Sequence, residues 1–442
     1  MLNKELLKEA LLNQRKIFLD VANYFPRQIL ENQQVKKAIQ QTQEVIVITG
    51  VRRCGKSYLL KLIWQKIKKQ HSLKDGQFLY LNFEDERLVG FSHQDFSSLI
   101  EVYFELLKPN QKKKIYLFFD EIQEIENWEK FINRLRENKA YKIFISGSNA
   151  CLLSSKIATQ LVGRNIVIEL YPLSWNEYLK VNLPNFIEKD LYDLPERAKI
   201  KRLFGKYLKN GGFPEVIKTN FRPLLQEYLK NIIYRDIVLR HKIKYQATLR
   251  EMVQFLTANI GSILSLQKIS QMLKIKNLMT VRNYLNYLAE SFLFYLMPQY
   301  SYSVKNQIYN PDKIYLCDIG IYQELSFKFS QNKGKILENF VFNELKRKFK
   351  EIYYLGGPAQ AEVDFVVKDK NKIKFLIQVC YNLSNQLTKE RETESLRKAM
   401  QEYGIKQGLI LTYDEQAEEE HPEGKINIIP VWKWLLEDTK SR

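Results

Sequence analysis

Gly50, Gly55, Lys56 and Ser57 have the types and the spacing of a phosphate-binding loop, G-x-x-x-x-G-K-S. The two glycines allow the backbone to fold into a cradle whose N–H groups point at phosphate oxygens. We expect the ammonium of Lys56 to reach the β- and γ-phosphates and the hydroxyl of Ser57 to ligate Mg²⁺. The motif therefore predicts a site for a nucleoside triphosphate. Its predicted nucleotide contacts are Gly50, Val51, Arg52, Arg53, Cys54, Gly55, Lys56, Ser57 and Tyr58.

Two acidic residues, Asp120 and Glu121, directly follow the apolar run 115–119. In open parallel α/β sheets, ligands bind at the carboxyl ends of the strands. Asp120 is predicted to hold Mg²⁺ by way of water, and Glu121 is predicted to orient and deprotonate the attacking water. At this distance after the phosphate-binding loop, the two acids indicate a Walker-B pair and a site that hydrolyses ATP.

Other polar residues stand at the ends of strand-like segments. Ser148 or Asn149 is predicted to contact the γ-phosphate or the attacking water, and of the two we favour Asn149 for this contact. Arg164 is predicted to stabilise transition-state charge, within one subunit or across an interface, with a structural ion pair as the alternative. Arg27 is interpreted as an exposed helix charge, with a contact to the base or the phosphates as the alternative.

The segments that must position these residues alternate between strand-like and helical patterns as far as residue 170. The strand-like segments are 45–49, 77–85, 115–119, 142–150 and 166–170. Apolar runs followed by helical periodicity are typical of parallel α/β folds. The pattern predicts a parallel sheet with helices on both faces.

The 442 residues carry a formal net charge of +19, and the pI is near 9.4. Such a charge favours a polyanionic partner, either nucleic acid or an anionic membrane surface. The four cysteines are isolated from one another and from histidines, which predicts neither a zinc site nor a disulfide framework. The N-terminus does not resemble a signal peptide, and no apolar run approaches the ~20 residues of a membrane span. We therefore expect a soluble cytoplasmic protein without a membrane partner.

An ordered set of short motifs extends along nearly the whole chain. The motifs are GVRRCGKS (50–57), NFEDERL (82–88), DEIQ (120–123), SGSNACLLS (146–154), LVGR (161–164), YPLSWNEY (171–178), GGFPE (211–215) and YRDIV (234–238). With them the chain resembles the prokaryotic AAA-type ATPases, related to archaeal signalling (STAND) ATPases, that carry a C-terminal restriction-endonuclease-like domain of unknown function. The resemblance implies ATP binding.

The resemblance and the residue patterns together predict an α/β fold with five regions. They are N-terminal helices (1–42), a P-loop AAA-type ATPase core (43–176), a helical lid (177–244), a winged-helix domain (245–310) and a small α/β endonuclease-like domain (311–442). The third helix of the winged helix would present Arg282, Asn283 and Asn286 to the DNA major groove. Lysines available for phosphate contacts are Lys268, Lys274 and Lys276. A winged helix used only for packing or protein contacts is the alternative.

The last region departs from the endonuclease pattern that it resembles. In that pattern, clustered acids bind Mg²⁺ and a lysine stabilises the transition state. Glu338 and Asp364 stand at acidic positions, but Gln378 replaces an acid and Cys380 replaces the lysine. A neutral amide binds Mg²⁺ poorly, and a thiol offers no cation to phosphate. The substitutions predict a domain without nuclease activity that binds DNA or a partner protein.

The sequence thus predicts an ATP-hydrolysing molecular switch, dependent on ATP and Mg²⁺, whose basic C-terminal half binds double-stranded DNA or a partner protein. One alternative is an ATP-regulated, Mg²⁺-dependent nuclease or DNA-processing enzyme. The other is an ATP-binding interaction module with little turnover.

Overall fold

The computed structural model of the chain describes residues 3–20, 25–149, 164–325, 332–356, 361–370 and 372–437. The chain divides into two compact units, Met1–Tyr171 with Glu290–Phe292, and Pro172–Ala289 with Leu293–Arg442. Ala150 to Gly163, which include Cys151 and part of the quoted motifs, lie outside the described residues.

The first unit is built around a five-stranded sheet in the order β2-β3-β4-β1-β5. Its strands are β1 (Val45–Thr49), β2 (Phe78–Asn82), β3 (Ile115–Asp120), β4 (Tyr141–Gly147) and β5 (Asn165–Glu169). All neighbouring strands pair in parallel. Strands β1 to β4 are almost entirely buried, which explains their continuous apolar runs. The predicted parallel sheet is confirmed.

Helices surround this sheet in the first unit. They are α1 (Lys4–Leu19), α2 (Gln33–Gln41), α3 (Lys56–His71), α4 (Phe96–Leu107) and α5 (Trp128–Glu137). The amphipathic pattern of α1 buries Leu7, Leu11 and Phe18, and the side chain of Asn3 caps its first turn. The ring of Phe18 stacks on Tyr80 of β2, with ring centroids 4.0 Å apart.

The second unit begins with helices. They are α6 (Trp175–Asn182), α7 (Leu194–Asn210), α8 (Pro214–Thr219), α9 (Leu224–Asn231), a π-helix (Ile232–Leu239), α10 (Gln246–Ala258), α11 (Leu266–Met272) and α12 (Leu278–Glu290). The predicted helical content of residues 177–244 agrees with these bounds. Ser174 starts α6 with a capping box, in which its hydroxyl accepts from the N–H of Glu177 and the Glu177 carboxylate accepts in return.

A small antiparallel sheet follows, formed by β6 (Phe294–Met297) and β7 (Lys313–Leu316). Three helices, α10 to α12, precede this strand pair, and the assignment of these elements to a winged helix stays a prediction. Strand β7 lies beyond residue 310, so the sheet spans the predicted boundary between the last two regions.

The rest of the second unit is a six-stranded mixed sheet with its helices. Its strands are β8 (Glu351–Leu355), β9 (Val363–Asp369), β10 (Lys372–Val379), β11 (Gln407–Thr412), β12 (Ala417–His421) and β13 (Gly424–Pro430), in the order β12-β13-β11-β10-β9-β8. The helices are α13 (Val304–Tyr309), α14 (Ile319–Leu325), α15 (Lys333–Lys348), α16 (Gln386–Tyr403) and α17 (Val431–Glu437). In the part of the chain that the structure describes, no helix has the length and apolar character needed to span a bilayer.

Candidate functional site

The loop between β1 and α3 folds into a cradle at the carboxyl edge of the first sheet. Gly50, Arg53 and Gly55 have positive φ angles of 147°, 70° and 104°. A Cβ atom at Gly50 would lie 2.0 Å from the carbonyl oxygen of Leu170, so only glycine fits there. Helix α3 begins at Lys56, and the first turn of a helix offers N–H groups and a positive dipole end to an anion.

The Lys56 side chain is buried inside this cradle. Its Nζ lies 3.3 Å from the carbonyl oxygen of Gly50 and 3.5 Å from that of Val51. The same Nζ lies 3.5 Å from a carboxylate oxygen of Glu121. The ammonium is thus positioned between the loop and the acidic end of β3.

Asp120 ends β3 and is fully buried. Its carboxylate accepts hydrogen bonds from the hydroxyls of Tyr80, at 2.9 Å, and of Ser146. The Ser57 hydroxyl is a third donor to it. Burial and the charge of Glu121 raise the pKa of Asp120, while these hydroxyls act in the opposite direction.

Glu121 follows in a left-handed conformation, with φ 51°. For a residue other than glycine this conformation is strained, and such strain often marks functional sites. Gln123 donates to the Glu121 carboxylate at 2.6 Å. Burial alone would raise the pKa of Glu121, but Lys56, Gln123 and Arg52 together outweigh it and lower the pKa. These three side chains therefore favour the ionised form of Glu121.

The structure brings Asn149 to the same edge of the sheet, where its carbonyl accepts from the hydroxyl of Thr49 at 3.4 Å. Arg52 forms a largely buried ion pair with Glu84 at 2.8 Å. Of the other loop positions that the motif assigned to nucleotide contacts, Val51 and Cys54 are buried, Ser57 and Tyr58 are half-buried and Arg53 is exposed.

Arg164 is not brought to the cradle. Its carbonyl accepts from the N–H of Val45 at 3.1 Å, so it stands at the amino ends of β1 and β5. A five-residue strand separates that edge from the cradle by about 16 Å. Action within the same subunit is therefore not supported, and a contact across an interface stays a prediction.

Two residues near the site were not identified from the sequence, Tyr80 and Ser146, and a third, Arg27, was misinterpreted. Ser146 is a hydroxyl in the buried strand β4, and that placement could have indicated its role. The interpretation of Arg27 as an exposed helix charge is wrong, because its side chain is only 6% exposed. The backbone at Arg27 is extended, and its guanidinium donates to the carbonyls of Cys54, at 2.9 Å, and Tyr171, at 2.5 Å.

The donor set at the cradle suits Mg²⁺ when phosphates supply further oxygens. Mg²⁺ prefers hard oxygen ligands and is bound by one or two protein groups plus substrate phosphates. Ser57 and Asp120 provide a hydroxyl and a carboxylate that are in hydrogen-bond contact. Among the described residues, no group of three or more His, Cys, Asp or Glu side chains could hold a metal ion alone.

The structure also brings together the predicted acids of the last region. Glu338 and Asp364 both contact the ammonium of Lys313, at 3.3 Å and 3.1 Å. The side-chain amide of Gln378 has other partners, because it accepts from the N–H of Asp364 and donates to Glu392. The thiol of Cys380 donates to the carbonyl of Asn382 at 3.1 Å.

Comparison with known sequence families agrees with this geometry. A family described as AAA domain matches residues 42–179. Two further families, each described as a domain of unknown function (DUF8612 and DUF4143), match residues 201–332 and 333–434. The first unit is thus an AAA-type, ATP-binding ATPase domain.

Two full-length relatives have similar sequences. An uncharacterized protein of Methanocaldococcus jannaschii is 38% identical over 411 residues, which cover 89% of this chain and 88% of that protein. An uncharacterized protein of Haemophilus influenzae is 32% identical over 407 residues, which cover 90% of this chain and 95% of that protein.

The crystal structure of Cdc6p from Pyrobaculum aerophilum aligns with a TM-score of 0.31 at 12% identity, covering 70% of this chain and 96% of that chain. A TM-score this low supports no inference about function.

Proposed function

The chain belongs to the family of AAA-domain proteins represented by these archaeal and bacterial relatives, and we propose that it is a Mg²⁺-dependent, ATP-hydrolysing molecular switch whose C-terminal half binds double-stranded DNA. The observation that carries the proposal is the convergence of Lys56, Ser57, Asp120 and Glu121 at one edge of the first sheet. A phosphate cradle, a hydroxyl–carboxylate pair and an ionised glutamate are the parts that hydrolysis of a γ-phosphate requires.

Each residue has a separate task in this proposal. The loop N–H groups and Lys56 bind the phosphates, and Ser57 and Asp120 hold Mg²⁺, which neutralises phosphate charge. Glu121 orients the attacking water and accepts its proton. Lys56, 3.5 Å away, keeps Glu121 ionised, and Gln123 fixes the orientation of its carboxylate.

Double-stranded DNA is proposed as the partner because of charge and exposure. The chain has a net charge of +19. On α12, Arg282, Asn283 and Asn286 are all exposed, as the sequence predicted. A groove beside this face is lined by Gln267, Arg282 and Asn286. Arginine and asparagine are side chains that can read base edges in the major groove.

ATP hydrolysis by the full chain tests the proposal, compared for wild type, Lys56→Ala and Glu121→Gln. Lys56→Ala should lose ATP affinity, because it removes the ammonium that is proposed to bind the β- and γ-phosphates. Glu121→Gln should retain ATP binding but lose about a hundredfold or more in turnover, since the base is gone. The exposed Glu124 provides the matched control, Glu124→Gln, which should hydrolyse normally. Unchanged turnover in Glu121→Gln would show that the base is assigned wrongly.

The same assay with DNA identifies the partner. Stimulation by double-stranded DNA that fades as salt is added would support phosphate contacts. Turnover that depends on Lys56 but is indifferent to DNA at two salt concentrations would assign the C-terminal half to a protein partner. Retained ATP binding with negligible turnover in every condition would instead indicate an ATP-binding interaction module.

A further inference from the structure

Three elements of the second unit meet around one buried ammonium. Lys313 lies on β7, Glu338 on α15 and Asp364 on β9. The Nζ of Lys313 is 3.3 Å from Glu338 and 3.1 Å from Asp364. We call Glu338 and Asp364 the carboxylate pair. Side-chain exposure is 6% for Lys313, 13% for Glu338 and 15% for Asp364, so water reaches the pair only at its edge.

Each member of the carboxylate pair also accepts a hydrogen bond from a second fixed donor. Tyr315, two residues after Lys313 on the same face of β7, donates to Glu338 at 2.8 Å. The N–H of Val379 donates to Asp364 at 3.0 Å. On the other side of Glu338, a Cβ atom at Gly261 would lie 2.8 Å from its carboxylate, so backbone closes that approach. The carboxylate pair thus accepts from three protein donors, the Lys313 ammonium, the Tyr315 hydroxyl and the N–H of Val379.

The Lys313 ammonium has a further contact, and its charge is stabilised by the carboxylate pair. The ring of Tyr354 lies 5.6 Å from its Nζ, within the range of a cation–π contact. Burial alone would lower the pKa of Lys313, but Asp364 and Glu338 outweigh it and raise the pKa above its usual value. The ammonium therefore stays charged at every physiological pH.

This arrangement does not fit the metal site that an endonuclease-like domain implies. A divalent cation shared by two carboxylates needs oxygen ligands at about 2.0–2.6 Å, in the space that the Lys313 ammonium fills. It would also stand beside a permanent positive charge in a site with little water. Gln378, which could supply a third oxygen, is bonded to the N–H of Asp364 and to Glu392.

We propose that Lys313 is the resident cation of the carboxylate pair, which excludes divalent metal ions, so that this half of the chain engages its partner without a metal. The inference does not depend on ATP hydrolysis. A cation supplied by the chain itself cannot be removed by chelators, and it ties β7 to α15 and β9 permanently.

Mn²⁺ binding to the full chain, followed by the loss of the free-ion electron paramagnetic resonance signal, tests the proposal. Nucleotide is left out, so that no phosphate adds metal ligands at the cradle. Wild type and Asp364→Asn should bind Mn²⁺ equally, because the intact pair offers it no site. Lys313→Met, which keeps an apolar chain but removes the charge, should bind Mn²⁺ about tenfold or more tightly. The double variant Lys313→Met/Asp364→Asn should lose that gain.

Mn²⁺ binding by wild type that Asp364→Asn abolishes would overturn the proposal. So would a folded Lys313→Met, with an unchanged circular dichroism spectrum, that gains no Mn²⁺ site. If Lys313→Met fails to fold, the comparison of wild type with Asp364→Asn decides by itself. Equal binding then supports the proposal, and unequal binding refutes it.

Discussion

Among single residues, Asp120 is the buried carboxylate that we propose as a Mg²⁺ ligand. A carboxylate without water is costly unless donors replace the lost hydration. Here the donors are hydroxyls of Tyr80, Ser146 and Ser57, from three different elements. Because hydroxyl protons can rotate, the same side chains can release the carboxylate to a cation without moving. The orientation of Asp120 is therefore set by hydroxyls on three elements other than its own.

We expect Tyr80→Phe to reduce ATP hydrolysis about tenfold, because Asp120 loses a donor that fixes its orientation toward Mg²⁺. The loss should appear as a higher Mg²⁺ concentration for half-maximal activity, while the affinity for ATP changes little. A Mg²⁺ titration of the hydrolysis rate measures the first quantity, and binding of a fluorescent ATP analogue measures the second.

Tyr116→Phe is the matched control, because Tyr116 lies in the same sheet and is 7% exposed, compared with 9% for Tyr80. Tyr116→Phe also removes a tyrosine hydroxyl but leaves the contacts of Asp120 intact, so hydrolysis should stay near the wild-type rate. Equal Mg²⁺ dependence in the two variants would show that Tyr80 only fills space.

Among the elements, α2 ends in an unusual way. Lys142, the second residue of the central strand β4, is 1% exposed. Its Nζ donates to the carbonyls of Ala38 at 3.0 Å, Thr42 at 2.9 Å and Glu44 at 2.8 Å. The last carbonyls of a helix have no partner within it, and a cation there also suits the helix dipole. One side chain thus joins the end of α2 to the sheet.

Burial lowers the pKa of Lys142 to about 7. Lys142→Met should still destabilise the first unit by about 3 kcal/mol, because three carbonyls lose their donor. Hydrogen exchange should rise in peptides that cover α2 and β4, and the urea midpoint should fall. Lys139→Met, at an exposed position three residues earlier, should leave both unchanged. Equal hydrogen exchange in the two variants would mean that water replaces the Lys142 donor without a loss of stability.

The junction of β7, α15 and β9 should make the stability of the second unit depend on pH. Burial raises the pKa of Glu338 to about 7, and Asp364 adds to the rise. Between its unfolded pKa of about 4.3 and this value, the folded state binds more protons than the unfolded state. Glu338 therefore lowers the free energy of unfolding as pH rises through that window, by up to about 4 kcal/mol above pH 7.

Urea unfolding at pH 5 and pH 8 measures this effect in wild type and Glu338→Gln. The variant cannot titrate, so its two midpoints should differ less than those of wild type. Glu418→Gln, at an exposed glutamate of β12, serves as the control and should retain the wild-type difference. Identical pH dependence in Glu338→Gln and wild type would contradict the assignment.

Across the whole molecule, structural features made by neighbouring residues could be predicted from the sequence. Contacts between residues that are distant in the sequence could not. The strands of the first sheet were predictable because each is a buried apolar run, and the cradle because its motif is contiguous. Ser146 and Lys313 were missed because their partners, Asp120 and Glu338, are 26 and 25 residues away and on other elements. The position of Arg164 could not be predicted for the same reason, because the pairing of β1 with β5 is what places Arg164 at the amino ends of these strands.

The net charge of +19 leads to the last prediction, which concerns DNA affinity. If phosphates are bound by lysine and arginine, log K falls linearly with log salt, and each lost contact reduces the slope by about 1. Arg282→Ala, Lys268→Ala and Lys276→Ala remove exposed charges of the α11–α12 region. Fluorescence anisotropy with a labelled duplex at several salt concentrations measures the slope for each variant.

The triple variant should reduce the slope by about 3, and its affinity should approach that of wild type at high salt, where released counterions no longer favour binding. Lys112→Ala/Lys113→Ala, at exposed positions in the first unit, changes the charge without touching this surface and should leave the slope nearly unchanged. An equal loss in both variants would mean that DNA responds only to total charge. In that case α12 has no special role, and its exposed Arg282, Asn283 and Asn286 are more consistent with a protein partner.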